Sequence, residues 1–353
     1  MPVRWSASPP TTSATRRWAS SPSRTAASPA SASPSRPADS ASPAPAPRRG
    51  PAQPSRERSP AVLLAYALSS GITSGALYAL VAVGLVLCYR TTGHINFSHG
   101  ELFMIGGFLA FTLHVMWELP YIVALLGAVA GSFVLGVLTD RVVYQPLIKA
   151  PPIAMVMATV GLSFVLKGIG RHFWGGQGEV VPFPPLVSPA PVLIGGVAVF
   201  PQQLVVIASV AVCMLLLTLF FTRTRAGKMM QATAENAHAA YLVGIRVERV
   251  YMLTWGAGAA LAGVAAVFVA PLTLLTPDIG LSLLLKAFAA TILGGLGSMT
   301  GAVIGGLLVG ILEALAGTYI ASSIQDVSAF IIILAVLVFR PTGLLGARAR
   351  REV

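Results

Sequence analysis

Charge is scarce in this sequence. Of its 353 residues only 10% are Asp, Glu, Lys or Arg, against roughly 25% in an ordinary soluble domain, while 55% are hydrophobic. A soluble fold of this length needs a charged surface, and 24 basic plus 12 acidic residues, unevenly spread, cannot supply one. Cysteine is nearly absent. Cys88 and Cys213 both lie in apolar runs, where a thiol acts as a small hydrophobe, so they indicate no redox compartment. The five histidines, at 94, 99, 114, 172 and 238, lack metal-ligand spacing, so no metal site is expected. There is no G-x-x-x-x-G-K-[ST] phosphate loop, because Gly227-Lys228 is followed by Met229. No nucleophile and base signature appears either. These absences argue against an enzyme, against a bound cofactor and against nucleotide hydrolysis by this chain, so any pumping needs an external motor. The net charge of +12 does not indicate nucleic acid: seven of those units come from residues 1–60, and no basic helical face is interleaved with aromatics.

Long apolar runs dominate what is present. A helix needs about 20 apolar residues to cross the hydrocarbon core, and candidate segments are 61–89, 101–117, 121–143, 152–173, 192–221, 250–270, 281–297, 301–320 and 322–339. The expected fold is therefore all-α: a polytopic integral membrane protein with about eight or nine transmembrane helices. The stretch from Leu281 to Ala316 is rich in glycine, including Gly301, Gly305, Gly306 and Gly310, which suits helices that approach closely in lipid. Residues 1–60 are Ser, Pro, Ala and Arg without apolar periodicity, and read as a disordered tail. Such a composition also arises when GC-rich sequence upstream of a true start codon is translated. Residues 347–353 form a short basic tail.

Basic residues collect on the cytoplasmic side of spans. The largest cluster between spans, Arg223, Arg225, Lys228, Arg246 and Arg249, makes the loop 223–249 cytoplasmic. Arg340, Arg348, Arg350 and Arg351 place the C-terminus there too, and loop 174–191 falls outside. Nine crossings leave the N-terminus outside and eight leave it inside. Segments 88–107 and 281–297, each interrupted by glycine and polar groups, are the candidates for a broken, re-entrant helix. Discontinuous helices are where transporters place substrates.

Two stretches carry candidate functional residues. The first is the polar island from Thr91 to Glu101, in which Asn96, Ser98, His99 and Glu101 need partners or water at membrane depth. Ser98 and Glu101 fit the S-x-x-E capping box, and Asn96 and His99 either line a solute pathway or fix the turn. The second is the loop 223–249, whose segment Gly227–Gly244 reads as a surface helix ended by a glycine cap. No mid-span arginine is placed to read a solute carboxylate; Lys286 could be such a reader, but near a span end it is expected instead to snorkel to the interface.

Several motifs together resemble one family. Ser70-Gly-Ile-Thr-Ser-Gly-Ala-Leu-Tyr-Ala-Leu80, Gly93-His-Ile-Asn-Phe-Ser-His-Gly-Glu101, Ala158-Thr-Val-Gly-Leu-Ser163, Ala232-Thr-Ala-Glu-Asn236, Leu242-Val-Gly-Ile245, Leu293-Gly-Gly-Leu-Gly-Ser298 and Arg340-Pro-Thr-Gly-Leu-Leu345 are similar, in order, to the LivH/LivM type permeases of bacterial branched-chain amino-acid ABC importers, and closer to LivH. The resemblance spans residues 61–346. It implies an ABC importer permease fold in the cytoplasmic membrane, a second homologous permease subunit, two cytosolic ATPases that bind the ATP, and an extracytoplasmic solute-binding protein. It also implies that His238, Ala239, Ala240 and Gly244 match the family's E-A-A-x-x-x-G coupling helix, which fits a cleft on the ATPase. His238 stands where that pattern has Glu, so an ion pair made by that Glu is in question. Leucine-type amino acids, short amides and urea all remain open as substrates, and a secondary transporter working without ATP is the rival reading.

Overall fold

The computed structural model describes residues 60–175, 182–187, 190–194, 197–340 and 342–346, with no side-chain detail at 193, 194, 197–199 and 326. The N-terminal tail and the basic residues 347–353 lie outside the described residues. The helices are α1 (Pro60–Thr92), α2 (His99–Phe111, extended by a π turn Thr112–Met116), α3 (Tyr121–Thr139, with a π turn Asp140–Tyr144), α4 (Gln145–Leu147), α5 (Pro152–Trp174), α6 (Pro201–Arg223), α7 (Arg225–Glu235), α8 (Ala237–Leu242), α9 (Val247–Val269), α10 (Ile279–Gly294), α11 (Met299–Tyr319) and α12 (Ile324–Phe339). A two-stranded antiparallel hairpin, β1 (Val192–Ile194) with β2 (Val197–Val199), precedes α6. The run 192–221 is thus a hairpin and then a helix, rather than one span, because Pro201 at the first helical turn fixes where α6 starts.

Seven helices among the described residues are long and apolar enough to cross a membrane, and the apolar stretches Ile279–Gly294 and Val327–Phe339 are shorter. The chain traverses the bundle with all nine. One end of the bundle gathers Leu87, Phe221, Met230 and Val250, with Met299 beside them, so the ends of α1 and α6 and the starts of α9 and α11 meet there over α7. Leu344 N–H and Leu345 N–H bond the Leu293 and Gly294 carbonyls, which ties the C-terminal segment to this same basal end. Phe111, Tyr121, Trp174, Phe183 and Ala270 gather at the other, distal end. Pro60 starts distally and Phe339 ends basally, as an odd number of traverses requires.

The first expected break, 88–107, exists; the second is displaced, because 281–294 is continuous helix and the chain breaks ahead of it, at 270–278. After α1 reaches the basal end, residues 93–98 turn back into the bundle and α2 begins at fully buried His99. The His99 ring lies against Gly84 of α1, at the level where Gly84 meets Gly258, the midpoint of α9. Likewise residues 270–278 return from the distal end and α10 begins at Ile279. The two short helices start against each other, Gly100 to Gly280, backbone to backbone. The halves α1, α2, α3, α5 and α9, α10, α11, α12 therefore share one order and run in opposite directions. Their packing follows suit: α1 lies along α11 as α9 lies along α3. Inverted repeats meeting at broken helices are a transporter architecture. Small residues set the close approaches, with Gly71 and Gly75 of α1 against Gly310 and Gly306 of α11, and Ser132 of α3 against Gly263 of α9.

Candidate functional site

The polar island folds as an Asx turn. Asn96 Oδ1 accepts from both Ser98 N–H (2.9 Å) and Ser98 Oγ–H (2.7 Å), and His99 N–H bonds the Asn96 carbonyl at 3.3 Å. The expected capping box is not formed, since Ser98 makes no side-chain cap on α2. Its hydroxyl is turned to Asn96, whose short amide reaches two donors at once. Asn96, Ser98, His99 and Glu101 are all buried, at 2% exposure or less. Asn96 Nδ2, both ring nitrogens of His99 and Glu101 Oε2 are buried without a hydrogen-bond partner among the described residues. Asn96 and Ser98 thus shape the re-entrant turn through their side chains, and none of the four residues is on the wall of the polar cavity described below.

A second charged group ties the other re-entrant segment down. Asp278, just before α10, pairs with Lys167 and receives both Arg171 Nη2 contacts at 3.2 Å. These cations of α5, Lys167 foremost through its hydrogen bond, hold the Asp278 carboxyl below the ordinary carboxylate range. A depressed carboxyl pKa contributes stability that is complete above the unfolded value, near 3.8, and is lost as pH falls through the folded one. Asp278 is well exposed, so the contribution is small, about 0–1 kcal/mol. Thermal midpoints are expected to hold this contribution from neutral pH down to about 5, and Asp278→Asn to remove it in a salt-sensitive way. An Asp278→Asn midpoint equal to wild type in low salt would refute the latch.

The charged residues inside the spans hold a feature that sequence reading missed. Lys286, two turns into α10, does not snorkel; its Nζ donates to Glu313 Oε1 of α11 at 2.6 Å, with the two side chains 16% and 9% exposed, and lies 5.7 Å from the Tyr78 ring centroid. Helix α10 places it mid-length, too far from either end for its stem to reach the interface. The signal available was two opposite charges in adjacent apolar runs, which at membrane depth pair with one another. Lys286 borders a cavity of about 300 Å³ between α1, α6, α10 and the segment after α9, whose wall also carries the hydroxyls of Ser70, Thr73, Ser74 and Ser282. Gln203 in the first turn of α6 and Thr273 past α9 put this cavity in the distal half.

At the basal end the loop 223–249 holds two helices rather than the single one expected. Asn236, with extended backbone, breaks them apart and caps α8 by accepting from Ala239 N–H at 2.9 Å; Thr224 caps α7 likewise through Gly227 N–H at 3.0 Å. Gly244 closes α8 at φ 88°, with Ile245 N–H returning to the Ala240 carbonyl, the left-handed closure that glycine adopts at no steric cost. Ala240 is buried against the bundle. His238 and Ala239 are exposed, and Tyr241, Leu242 and Val243 are 69%, 71% and 78% exposed. The basic residues Arg223, Arg225, Lys228, Arg246 and Arg249 flank this apolar turn in the sequence.

Residues 67–339 match the family described as branched-chain amino acid transport system, permease component. The chain is 36% identical over 293 residues to the high-affinity branched-chain amino acid transport system permease protein BraD of Pseudomonas aeruginosa, covering 79% of this chain and 94% of that one. It is 34% identical over 291 residues to LivH of Escherichia coli K12 (78% and 94%), and 28% identical over 282 residues to the ribose import permease RbsC of that organism (74% and 81%). A solved structure, PsaBC from Streptococcus pneumoniae in complex with Fab, is similar at a TM-score of 0.46 with 14% identity, over 79% of this chain and 92% of that one. With the match running through both re-entrant segments and both halves, the chain belongs to the family of permease components of branched-chain amino acid transport systems.

Proposed function

We propose that this permease imports branched-chain amino acids, paired with a second permease subunit, driven by two ATPases docked on α7 and α8, and fed by a solute-binding protein at the distal end. The basal end is then cytoplasmic, which its arginine and lysine cluster supports, and the N-terminal end of α1 lies outside. Substrate class rests on the relatives at 34–36% identity, which are high-affinity branched-chain amino acid permeases.

The observation that carries the reading is the exposed apolar turn Tyr241-Leu242-Val243 at the basal end of the bundle, in a loop that carries five basic residues. A lipid-surface helix would carry a continuous apolar face along its length. Here the exposed apolar side chains are confined to the last turn of a six-residue helix and its cap, which suits insertion into a cleft on a protein partner. His238, exposed beside it, offers an imidazole where the related pattern has a carboxylate, so docking rests on the apolar turn. Leu242→Asp is expected to weaken ATPase docking by about 2 kcal/mol or more, roughly 30-fold. Co-purification of the ATPases with the permease measures this. Full co-purification and wild-type leucine uptake by Leu242→Asp would sink the coupling role.

A further inference from the structure

We propose that the cleft between α3, α6 and α9 holds an acyl chain of an anionic phospholipid, whose phosphate sits at the basal mouth with Arg223, Arg225 and the start of α7. The cleft has a volume of about 490 Å³ and is lined by apolar side chains. It runs from Phe220 and Leu253, near the basal end, to Val129, Cys213 and Val264, past the middle of the bundle. Its side is open, with Leu216 on the wall 60% exposed. Leu253 to Val264 is about 16 Å along α9. That is about half of the ~30 Å hydrocarbon core, the depth of one leaflet. A partner helix crosses a membrane from face to face and needs a groove of full height, whereas a lipid chain enters from one face and ends near the middle.

The mouth of the cleft supplies what a phosphate needs. Ala226 and Met230 of α7 belong to the wall, so the first turn of α7 stands at the mouth. The N–H groups of Gly227 and Lys228 are taken up by Thr224. Those of Arg225 and Ala226 have no intrahelical acceptor, an arrangement that suits an anion. Arg225 opens this helix, and Arg223, the last residue of α6, follows Phe220 by three positions and Leu216 by seven, which by helical period puts it on their face. Both arginines are exposed, and neither has an ion-pair partner among the described residues. Basic groups beside an apolar groove between spans recognise anionic headgroups. The distal half provides the contrast. A cleft of about 570 Å³ between α2, α3 and α5 is equally apolar, but the α5 cations Lys167 and Arg171 are already paired with Asp278. That cleft suits a chain of any lipid, whereas the basal one selects an anionic lipid. Because α7 forms part of the wall, the bound chain also supports the helix that leads to the exposed turn Tyr241-Leu242-Val243.

The test is photocrosslinking in proteoliposomes that hold the whole complex in phosphatidylcholine, with a trace of phosphatidylglycerol carrying a diazirine in its acyl chain. Labelled peptides are mapped by mass spectrometry. Label is expected on residues 213–230 and 253–264 despite the excess of phosphatidylcholine, and unlabelled phosphatidylglycerol is expected to displace it. Arg223→Gln with Arg225→Gln should lower this labelling about tenfold or more. Ala260→Phe, which fills the cleft and keeps both arginines, should lower it as well; where a variant does not assemble, the displacement measured on the wild type decides. Label spread evenly over the outward faces of α3, α5 and α6 would mean annular lipid only and overturns the proposal. Equal labelling by a phosphatidylcholine probe overturns it too, as does a cleft left unlabelled in the assembled complex, which would mean that a protein partner covers it.

Discussion

Gly100→Ala is expected to stop the two halves of the bundle from closing. A Cβ at Gly100 would lie 2.2 Å from the Gly280 carbonyl oxygen and 2.7 Å from its carbon, and one at Gly280 would lie 2.5 Å from the Gly100 oxygen. Both partners are main chain in the first turn of a helix, so no rotamer can relieve the contact, and the helix starts must separate by about 1 Å to restore van der Waals distance. Overpacking costs about 1–3 kcal/mol where neighbours adjust. Here the rigid contact sets the expectation at about 3 kcal/mol or more. Gly161 of α5 supplies the opposite case, since nothing lies within 4 Å of an added Cβ. Gly161→Ala should therefore stabilise by about 0.5–1 kcal/mol, the usual gain from replacing a helical glycine. Thermal unfolding of both variants in one detergent compares them, and a Gly100→Ala midpoint equal to wild type would mean that the re-entrant helices do not meet as described.

Lys286→Met alone should be far more damaging than its combination with Glu313→Gln. The single change leaves the Glu313 carboxylate 9% exposed, with its Lys partner gone, and breaking one side of a buried pair costs about 3–5 kcal/mol. Removing both charges takes away the desolvation penalty along with the attraction, so the double variant is expected within about 1–2 kcal/mol of wild type. A double-mutant cycle on the purified complex, read as thermal midpoints, gives the coupling. Equal midpoints for the single and double variants would show that water from the adjoining cavity already solvates Glu313.

Most of the architecture was legible in the chain, and particular residues show why. Apolar runs of about 20 residues have few alternatives to a spanning helix, because lipid leaves backbone groups no other partners. Pro152 marked a helix start, whereas Pro201, inside the run 192–221, was not read as one. The interrupted segment 88–107 was visible as a break, since polar groups and glycine within an apolar run are expensive unless the chain turns there, whereas the break expected in 281–297 falls instead at 270–278, ahead of the continuous α10. The cap geometry was not visible: Ser98 and Glu101 have the spacing of a capping box, and only the placement of Asn96 Oδ1 two residues upstream decided which donor the serine hydroxyl would serve. The division of the basal loop at Asn236 was missed for a similar reason, because a lone cap residue inside an Ala-rich helical pattern gives little periodic signal.

By itself the sequence determined the solvent of this protein, the number of traverses to within one and the family whose motifs it carries. All of these follow from composition and local pattern, which do not depend on how the helices pack. Tertiary structure decided the parity of the crossings, the meeting of two broken helices at Gly100 and Gly280, and the pairing of Lys286 with Glu313 beside a polar cavity. Those features join residues 27 to 180 positions apart, and a scarce charge in an apolar run declares that it needs a partner without naming which one. Only the packing of α10 on α11 and α1 supplies that name.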